Sequence, residues 1–275
     1  EAGITHIIRG EDHISNTHRQ IIILEALGGE RPIYAHLPLI LAEDKSKLSK
    51  RKHGESVSLK YYREKGYEPE AIINFMTMIG WNSGTDQEIF SLEELVKVFD
   101  IKKVQKKSGI FNVEKLNWLN KEYIAKQSQD LKMKRLKDEI RKSRFKDSEK
   151  LKDEEFVEKF LKIILERIHR WGEVAEILEV GEFDYLFEKP ILDASKILWK
   201  EQTKEDALNN LKEILNLNLE KEKIMEYATR GGKGNGLWPL RYALSGKEKS
   251  PDPITLIDIL GIEESKQRIQ NAIQI

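Results

Sequence analysis

The sequence contains no cysteine. That excludes disulfides, thiolate zinc sites and thiol redox chemistry, and it fits a reducing compartment. No apolar run approaches the ~20 residues that a membrane span needs, so no membrane partner is expected. The N-terminus has no signal pattern of basic, apolar and small residues. No repeat and no low-complexity tract is found. A cytoplasmic protein is the expectation. The chain opens on Glu1 rather than Met, as a processed product or a piece of a longer protein would.

What is present is a large hydrophobic and charged inventory. Hydrophobic residues make up 39% of the 275 and charged residues 34%, enough for packed cores under a well-solvated, helix-prone surface. The length allows one large domain or two to three small ones. The formal net charge of zero is an average. Residues 101–150 carry 16 Lys/Arg against 7 Asp/Glu, whereas residues 151–200 carry 8 against 12. Such a basic block can form a face for a polyanion; the simpler reading is a lysine-rich solvated helix surface.

The first 55 residues alternate in character. Ile4 to Ile8 reads as a short buried strand, Asn16 to Leu27 as a helix stopped by Gly28-Gly29, and Ile33 to Leu41 as a strand region broken at Pro38. Strand, helix, strand with short links is a parallel α/β unit. A lone crossover leaves both sheet faces poorly covered, so this segment reads as the second half of a nucleotide-binding fold. The remainder reads as helical. Glu70 to Ile79 is apolar, Ser91-Leu92-Glu93-Glu94 is a capping box, and Gly109 to Ile124 contains a further helix. Lys126 to Lys152 is polar and contains a domain junction. Glu155 to Val180 and Asp193 to Leu215 follow as helices, and Asp252-Pro253 caps the helix over Ile254 to Leu260. Ile269, Ala272 and Ile273 form a closing apolar stripe.

Several clusters carry chemistry. Lys47-Leu48-Ser49-Lys50-Arg51 places three cations and a hydroxyl on a loop beyond a strand end. A triphosphate has about four negative charges, which must be held and neutralised during transfer at its α-phosphorus. Arg9-Gly10-Glu11-Asp12 follows the first strand, where ligands bind in open α/β sheets; an arginine there can grip a carboxylate. Both clusters are expected on one sheet edge, which makes a site more credible than either alone. Gly231-Gly232-Lys233-Gly234-Asn235-Gly236 lacks the strand and the Lys-Ser/Thr pair of a phosphate loop and reads as a turn between helices. None of the six histidines has metal-ligand spacing; His36, beside the strand leading to the basic loop, stands apart from the rest. Arg167, Arg170 and Trp171 on one helix, and Arg241 after Trp238-Pro239, combine cations with flat rings, as groups that read unpaired RNA bases do. Taken singly, each is an ordinary surface arginine beside a core tryptophan.

Taken together these stretches resemble the C-terminal part of a bacterial-type glutamyl-tRNA synthetase, a class I aminoacyl-tRNA synthetase. The resemblance rests on Ile4-Thr-His-Ile-Ile-Arg-Gly-Glu-Asp12, His36-Leu-Pro-Leu-Ile-Leu41, Lys47-Leu-Ser-Lys-Arg51, Phe111-Asn112 with Lys115-Leu-Asn-Trp-Leu-Asn120, and Trp238-Pro-Leu-Arg-Tyr-Ala-Leu-Ser-Gly246 with Ser250-Pro-Asp-Pro253. It covers nearly the whole chain and weakens between about 126 and 230. Residues 47–51 resemble the family's Lys-Met-Ser-Lys-Ser signature, with Leu and Arg at two variable positions. The match implies that Lys50 with Lys47 and Ser49 serves catalysis at the ATP phosphates, that Asp12 and Ile40 line the ATP or acceptor-end site, and that Arg9 binds glutamate. It implies that Arg241, and Arg170 or Arg167, face the anticodon.

The resemblance implies a mostly α chain. A partial Rossmann-type α/β segment over 1–58 is followed by a helical stem-contact domain over 59–126 and an all-helical anticodon-binding region over 127–275, dividing near 190. The substrates implied are ATP with Mg2+, glutamate and tRNA(Glu), with no zinc in this chain and a monomeric state. The family's other signature, of His-x-Gly-His type, is absent. Both signatures hold ATP, so the chain alone is expected to bind tRNA without activating glutamate. The rival readings are a non-catalytic RNA-binding or regulatory protein that shares the helical modules, and a helical interaction scaffold.

Overall fold

The computed structural model describes residues 3–275, in two units, 1–127 and 128–275. The first opens with strand β1 (His6–Gly10), helix α1 (Ile14–Ala26) and strand β2 (Ile33–Leu37). β1 and β2 pair in parallel, with His6 opposite Ile33 and Arg9 opposite His36. The strand expected over Ile4 to Ile8 therefore begins two residues later, at His6, and extends to Gly10. Strand β3 (Ile40–Leu41) is separated from β2 by Pro38, which lacks the N–H a continuing ladder needs.

After β3 the chain forms the short helix α2 (Lys50–His53), then α3 (Leu59–Glu64), α4 (Pro69–Gly80) and α5 (Leu92–Val98). Strand β4 (Gly109–Ile110) follows, then α6 (Val113–Lys126). β3 does not join the β1–β2 pair. It pairs in parallel with β4, Ile40 opposite Gly109 and Leu41 opposite Ile110. The single sheet edge expected for the two polar clusters is thus two separate ladders.

The capping box expected at Ser91 is present: Ser91 Oγ accepts from the Glu94 N–H, and the Glu94 carboxylate accepts from the Ser91 N–H at 2.7 Å. The core of this unit gathers Tyr62, Tyr67, Phe75, Leu116 and Leu119, with Phe111 edge-on to Phe75 at 4.9 Å. By contrast α1 buries no residue. Ile22 is 62% exposed, Ile23 60% and Ile33 62%. A two-stranded crossover has too little area to cover its own apolar faces, as its sequence implies.

The second unit has helices and no strand among its described residues. It comprises α7 (Gln129–Ile140), α8 (Glu154–Arg167), α9 (Gly172–Glu179), α10 (Asp184–Phe187), α11 (Lys204–Asn216), α12 (Lys221–Gly231), α13 (Lys233–Ser245), α14 (Pro253–Leu260) and α15 (Ile262–Ile273). α7 packs on α8 and α9 around Phe156, Phe160, Phe183 and Trp171, all buried. α13 packs against α11, α12, α14 and α15, through residues that include buried Leu240 and Leu244.

Two helix expectations are corrected, and the turn read between helices over 231–236 is narrowed to Gly232. Residues 155–180 are not one helix: α8 stops at Arg167, and a bend carries Arg170 and Trp171 before α9. The helix read from Asp193 starts only at Lys204, where Thr203 and Asp206 supply a capping box. The glycine-rich segment 231–236 is mostly helix: Gly232, at φ 86°, makes the turn, and α13 starts at Lys233. Glycine there supplies a left-handed linkage that costs other residues about 1 kcal/mol or more.

Candidate functional site

The end of β1 and the loop after β3 meet. Arg9 lies opposite His36 in the ladder, so the two side chains share a face. The guanidinium donates to Thr17 Oγ1 at 2.7 Å and to His36 Nε2 at 3.4 Å, and lies 5.5 Å from the Tyr34 ring centroid. Thr17 Oγ1 and His36 Nε2 are 2.9 Å apart, which closes a triangle around the arginine. No ion pair engages Arg9 among the described residues; a hydroxyl and an imidazole orient its charge.

Beyond Arg9, residues 11–13 form a turn of 3-10 helix that leads into α1. Glu11 Oε1 accepts the Leu39 N–H at 3.2 Å and ties that turn to the β2–β3 link. Asp12 faces the basic loop: Lys47 Nζ lies 2.6 Å from Asp12 Oδ2. The hydrogen bond from Lys47 holds the Asp12 carboxyl below its ordinary value.

The loop itself folds back on β3. The Leu48 N–H donates to the Ile40 carbonyl at 3.1 Å, the Ala42 N–H to the Ser46 carbonyl at 2.8 Å, and Lys45 takes the left-handed conformation, φ 62°, that the reversal needs. Asp44 accepts from Ser46 and pairs with Lys52 at 2.5 Å, which keeps its carboxyl strongly acidic. Ser49 occupies the N-cap of α2 without spending its hydroxyl on the cap. Lys50 follows as the first residue of α2, exposed and without a charge partner among the described residues. The loop therefore offers one tethered cation, Lys47, two cations without an ion pair among the described residues, Lys50 and Arg51, and a free hydroxyl, Ser49. Ile40 contributes its carbonyl to the loop and is half-buried in β3.

In the second unit the expected residues are not equivalent. Arg170 is only 15% exposed and pairs with Glu176 at 2.8 Å, with Glu173 at 3.7 Å from its Nε. Trp171 is buried to 1% and is a core residue, not a ring for stacking. Arg167 is 48% exposed, pairs with Glu182 at 2.8 Å, and lines a groove of about 1230 Å3 between α8 and α14 that also carries Lys159, Lys162 and Asp252. Arg241 on α13 lies 4.6 Å from the Trp238 ring centroid and donates to the Glu248 carbonyl at 2.8 Å. It lines a second hollow, about 350 Å3, with Trp238, Trp199, Lys233, Asp252 and Pro253. Asp252 borders both spaces.

Thr17 and Tyr34 were not singled out by sequence, although Thr17 stands one turn into α1, the helix that follows the Arg9–Asp12 cluster. Trp199-Lys200 was also missed, because that stretch read as part of a continuous helix.

Two family models divide the chain between them. One, described as tRNA synthetases class I (E and Q), catalytic domain, matches residues 1–118. The other, described as anticodon binding domain, matches residues 121–273. The chain belongs to the anticodon-binding family over more than half its length, preceded by a segment of a class I (E and Q) tRNA synthetase catalytic domain. Curated relatives agree. Glutamate--tRNA ligase of Carboxydothermus hydrogenoformans is 37% identical over 98% of this chain and 57% of its own length. That of Aquifex aeolicus is 38% identical over 99% of this chain and 58% of its own. The crystal structure of a glutamate tRNA ligase from Elizabethkingia meningosepticum, in complex with its amino acid, superposes with a TM-score of 0.78 at 31% identity, over 98% of this chain and 57% of that one. The chain thus spans somewhat under three-fifths of the length of the relatives it matches.

Proposed function

We propose that this chain is the C-terminal portion of a glutamate–tRNA ligase, and that it binds tRNA(Glu) without activating glutamate alone. The observation that carries the reading is the approach of the Lys47-Leu-Ser-Lys-Arg51 loop to the Arg9–Asp12 segment, at 2.6 Å between Lys47 and Asp12, in a chain whose residues 121–273 match an anticodon-binding family. In the whole enzyme Arg9 holds the glutamate substrate by its carboxylate, since a guanidinium steadied by Thr17 and His36 is preset for paired hydrogen bonds. Lys50 and Lys47 neutralise the ATP phosphates, Ser49 donates its hydroxyl to them, and Asp12 and Ile40 line the ATP or acceptor-end site.

The chemistry is mainly positioning and charge stabilisation. The α-carboxylate of glutamate attacks the α-phosphorus and pyrophosphate leaves with the electrons of the broken P–O bond. The terminal ribose hydroxyl of tRNA then attacks the glutamyl-adenylate carbonyl, and AMP leaves. Mg2+ enters as part of the ATP complex. Among the described residues no three His, Asp or Glu side chains gather as metal ligands.

Residues 1–58 serve the catalytic domain, 59–126 contact the inner tRNA stem, and 127–275 meet the anticodon, with a division near 190. Of the arginines there, Arg241 and Arg167 suit RNA contact better than Arg170, whose largely buried guanidinium is held by Glu176. The reading takes the whole enzyme to be a monomer that works in the cytoplasm. No helix of the described residues is long and apolar enough to cross a membrane.

The test is binding of this chain to tRNA(Glu) and to an anticodon-mutated tRNA(Glu) across a salt titration. Affinity should fall steeply with salt, because bound phosphates release counterions, and should weaken for the mutant. Flat salt dependence would favour a protein-interaction scaffold instead.

A further inference from the structure

The tryptophan-proline pair of α13 organises a segment outside that helix. Pro239 lacks an N–H, so the carbonyl of Asn235, four residues earlier, loses its helical donor. Gln202 Nε2 at 3.2 Å and Asn210 Nδ2 at 3.1 Å supply donors in its place. Trp238 Nε1 donates to the Lys196 carbonyl at 3.0 Å. Residues 196–202, which form no helix or strand, are therefore pinned at both ends to α13.

Pinning holds Trp199 beside Trp238, with ring centroids 5.1 Å apart and planes inclined at 43°. Gly234 allows this approach: a Cβ there would lie 2.2 Å from Trp199 Nε1. The neighbouring Lys200 is held at φ 51°, a left-handed conformation uncommon for a residue with a side chain, with its ammonium 5.4 Å from the Trp199 centroid. Backbone strain of that kind concentrates where a side chain has a task.

Trp199 also borders two spaces. One is the 350 Å3 hollow with Trp238, Arg241 and Lys233, which Asp252 flanks. The other, about 700 Å3, is polar and carries Lys200, Gln202, Asn210 and Asn235, with Glu201 and Asp206 as its acids. The indole is thus the wall between an apolar hollow rimmed by cations and a hollow rich in amides. Flat rings give a base its stacking surface, cations meet its phosphate, and amides read its edge.

We propose that Trp199 is a stacking platform for an unpaired base of the tRNA loop, opposite Trp238 and Arg241. The inference rests on the tRNA-binding reading above and adds a residue to it. The base enters the 350 Å3 hollow and stacks on the indole, Lys233 of that hollow meets one flanking phosphate, and Lys200, which lines the polar space beyond the indole, meets the other.

The test uses the full chain with tRNA(Glu) transcript and the same transcript with a mutated anticodon. Trp199→Leu fills the hollow without a ring, whereas Trp199→Phe keeps a ring. Trp199→Leu should weaken tRNA(Glu) binding on the order of tenfold or more, the loss of one base–aromatic stack, and should narrow the ratio between the two RNAs. Trp199→Phe should keep both, and the salt slope, which counts phosphate contacts, should stay constant across all three proteins. A Trp199→Leu protein that melts like the parent and still discriminates like it overturns the inference while leaving the tRNA-binding reading intact. A parent chain that binds both RNAs equally removes that reading itself. Indole fluorescence gives a check that does not depend on Trp199→Leu folding. Quenching by tRNA(Glu) should be smaller in Trp199→Phe than in the parent, and equal quenching overturns the inference.

Discussion

Lys47 and Asp12, 35 residues apart in sequence, form an ion pair of 2.6 Å that links the basic loop to the turn beyond β1. Both side chains remain open to water, at 52% and 37% exposure, so solvent screens the pair and it adds little to stability. Its effect is on position: it holds one lysine of the loop back and leaves Lys50 unpaired. Asp12→Asn should leave the melting temperature unchanged and should release the loop, seen as faster tryptic cleavage after Lys47. A clear drop in melting temperature would show the pair to be structural.

In an enzyme that carries both halves of the catalytic fold, Lys50→Ala should abolish glutamate-dependent ATP–pyrophosphate exchange while tRNA affinity is kept. Lys50 has no charge partner to lose among the described residues, so the variant should fold normally. Unchanged exchange would sink the assignment of the loop.

Gly109 couples the helical part of the first unit to the loop. It pairs with Ile40 in the β3–β4 ladder, and a Cβ at this position would lie 2.1 Å from the carbonyl oxygen of Ile79. That neighbour is backbone, so β4 must move. Gly109→Ala should cost about 1–3 kcal/mol, the usual penalty for overpacking, and should speed tryptic cleavage of the 45–51 loop. Parental stability in urea would show that β4 yields freely.

Asn74 is a buried hub. Its Oδ1 accepts the Phe90 N–H at 2.7 Å and the Tyr123 hydroxyl at 2.9 Å, and its Nδ2 donates to the Glu88 carbonyl at 2.9 Å. Asn74→Leu matches its size but leaves backbone groups unpaired. The expected loss is about 2–4 kcal/mol, since each buried unpaired group costs roughly 1–3 kcal/mol. Denaturant unfolding measures it, and a neutral result would mean that water replaces the amide.

Asp252 caps α14. Burial raises its carboxyl pKa, but hydrogen bonds from the Thr255 hydroxyl and N–H and the Ile254 N–H outweigh that and leave it below the ordinary value of 3.8. A folded-state value below the unfolded one gives stability that is present above the unfolded pKa and lost as pH falls through the folded one. Asp252→Ala should cost about 1 kcal/mol at neutral pH, and its gap to the parent should close below about pH 4. A gap constant into strong acid would assign the effect to packing.

The sequence by itself determined the local elements whose cause is local. Ser91 with Glu94 and Asp252 with Pro253 mark helix starts because the capping atoms lie within three residues of the groups they satisfy. The cation-rich loop and the arginine at the end of the first strand were legible because strand ends and charge type can be read from neighbours. The tertiary structure decided everything that depends on distant partners. It gave β3 a partner in β4, 69 residues on, instead of β2; it broke the helix after Arg167 and turned Trp171 into the core. It also placed Trp199 against α13, because the carbonyl freed by Pro239 draws its donors from Gln202 and Asn210. A proline announces in sequence that a carbonyl will go unpaired; only the fold says which side chains reach it.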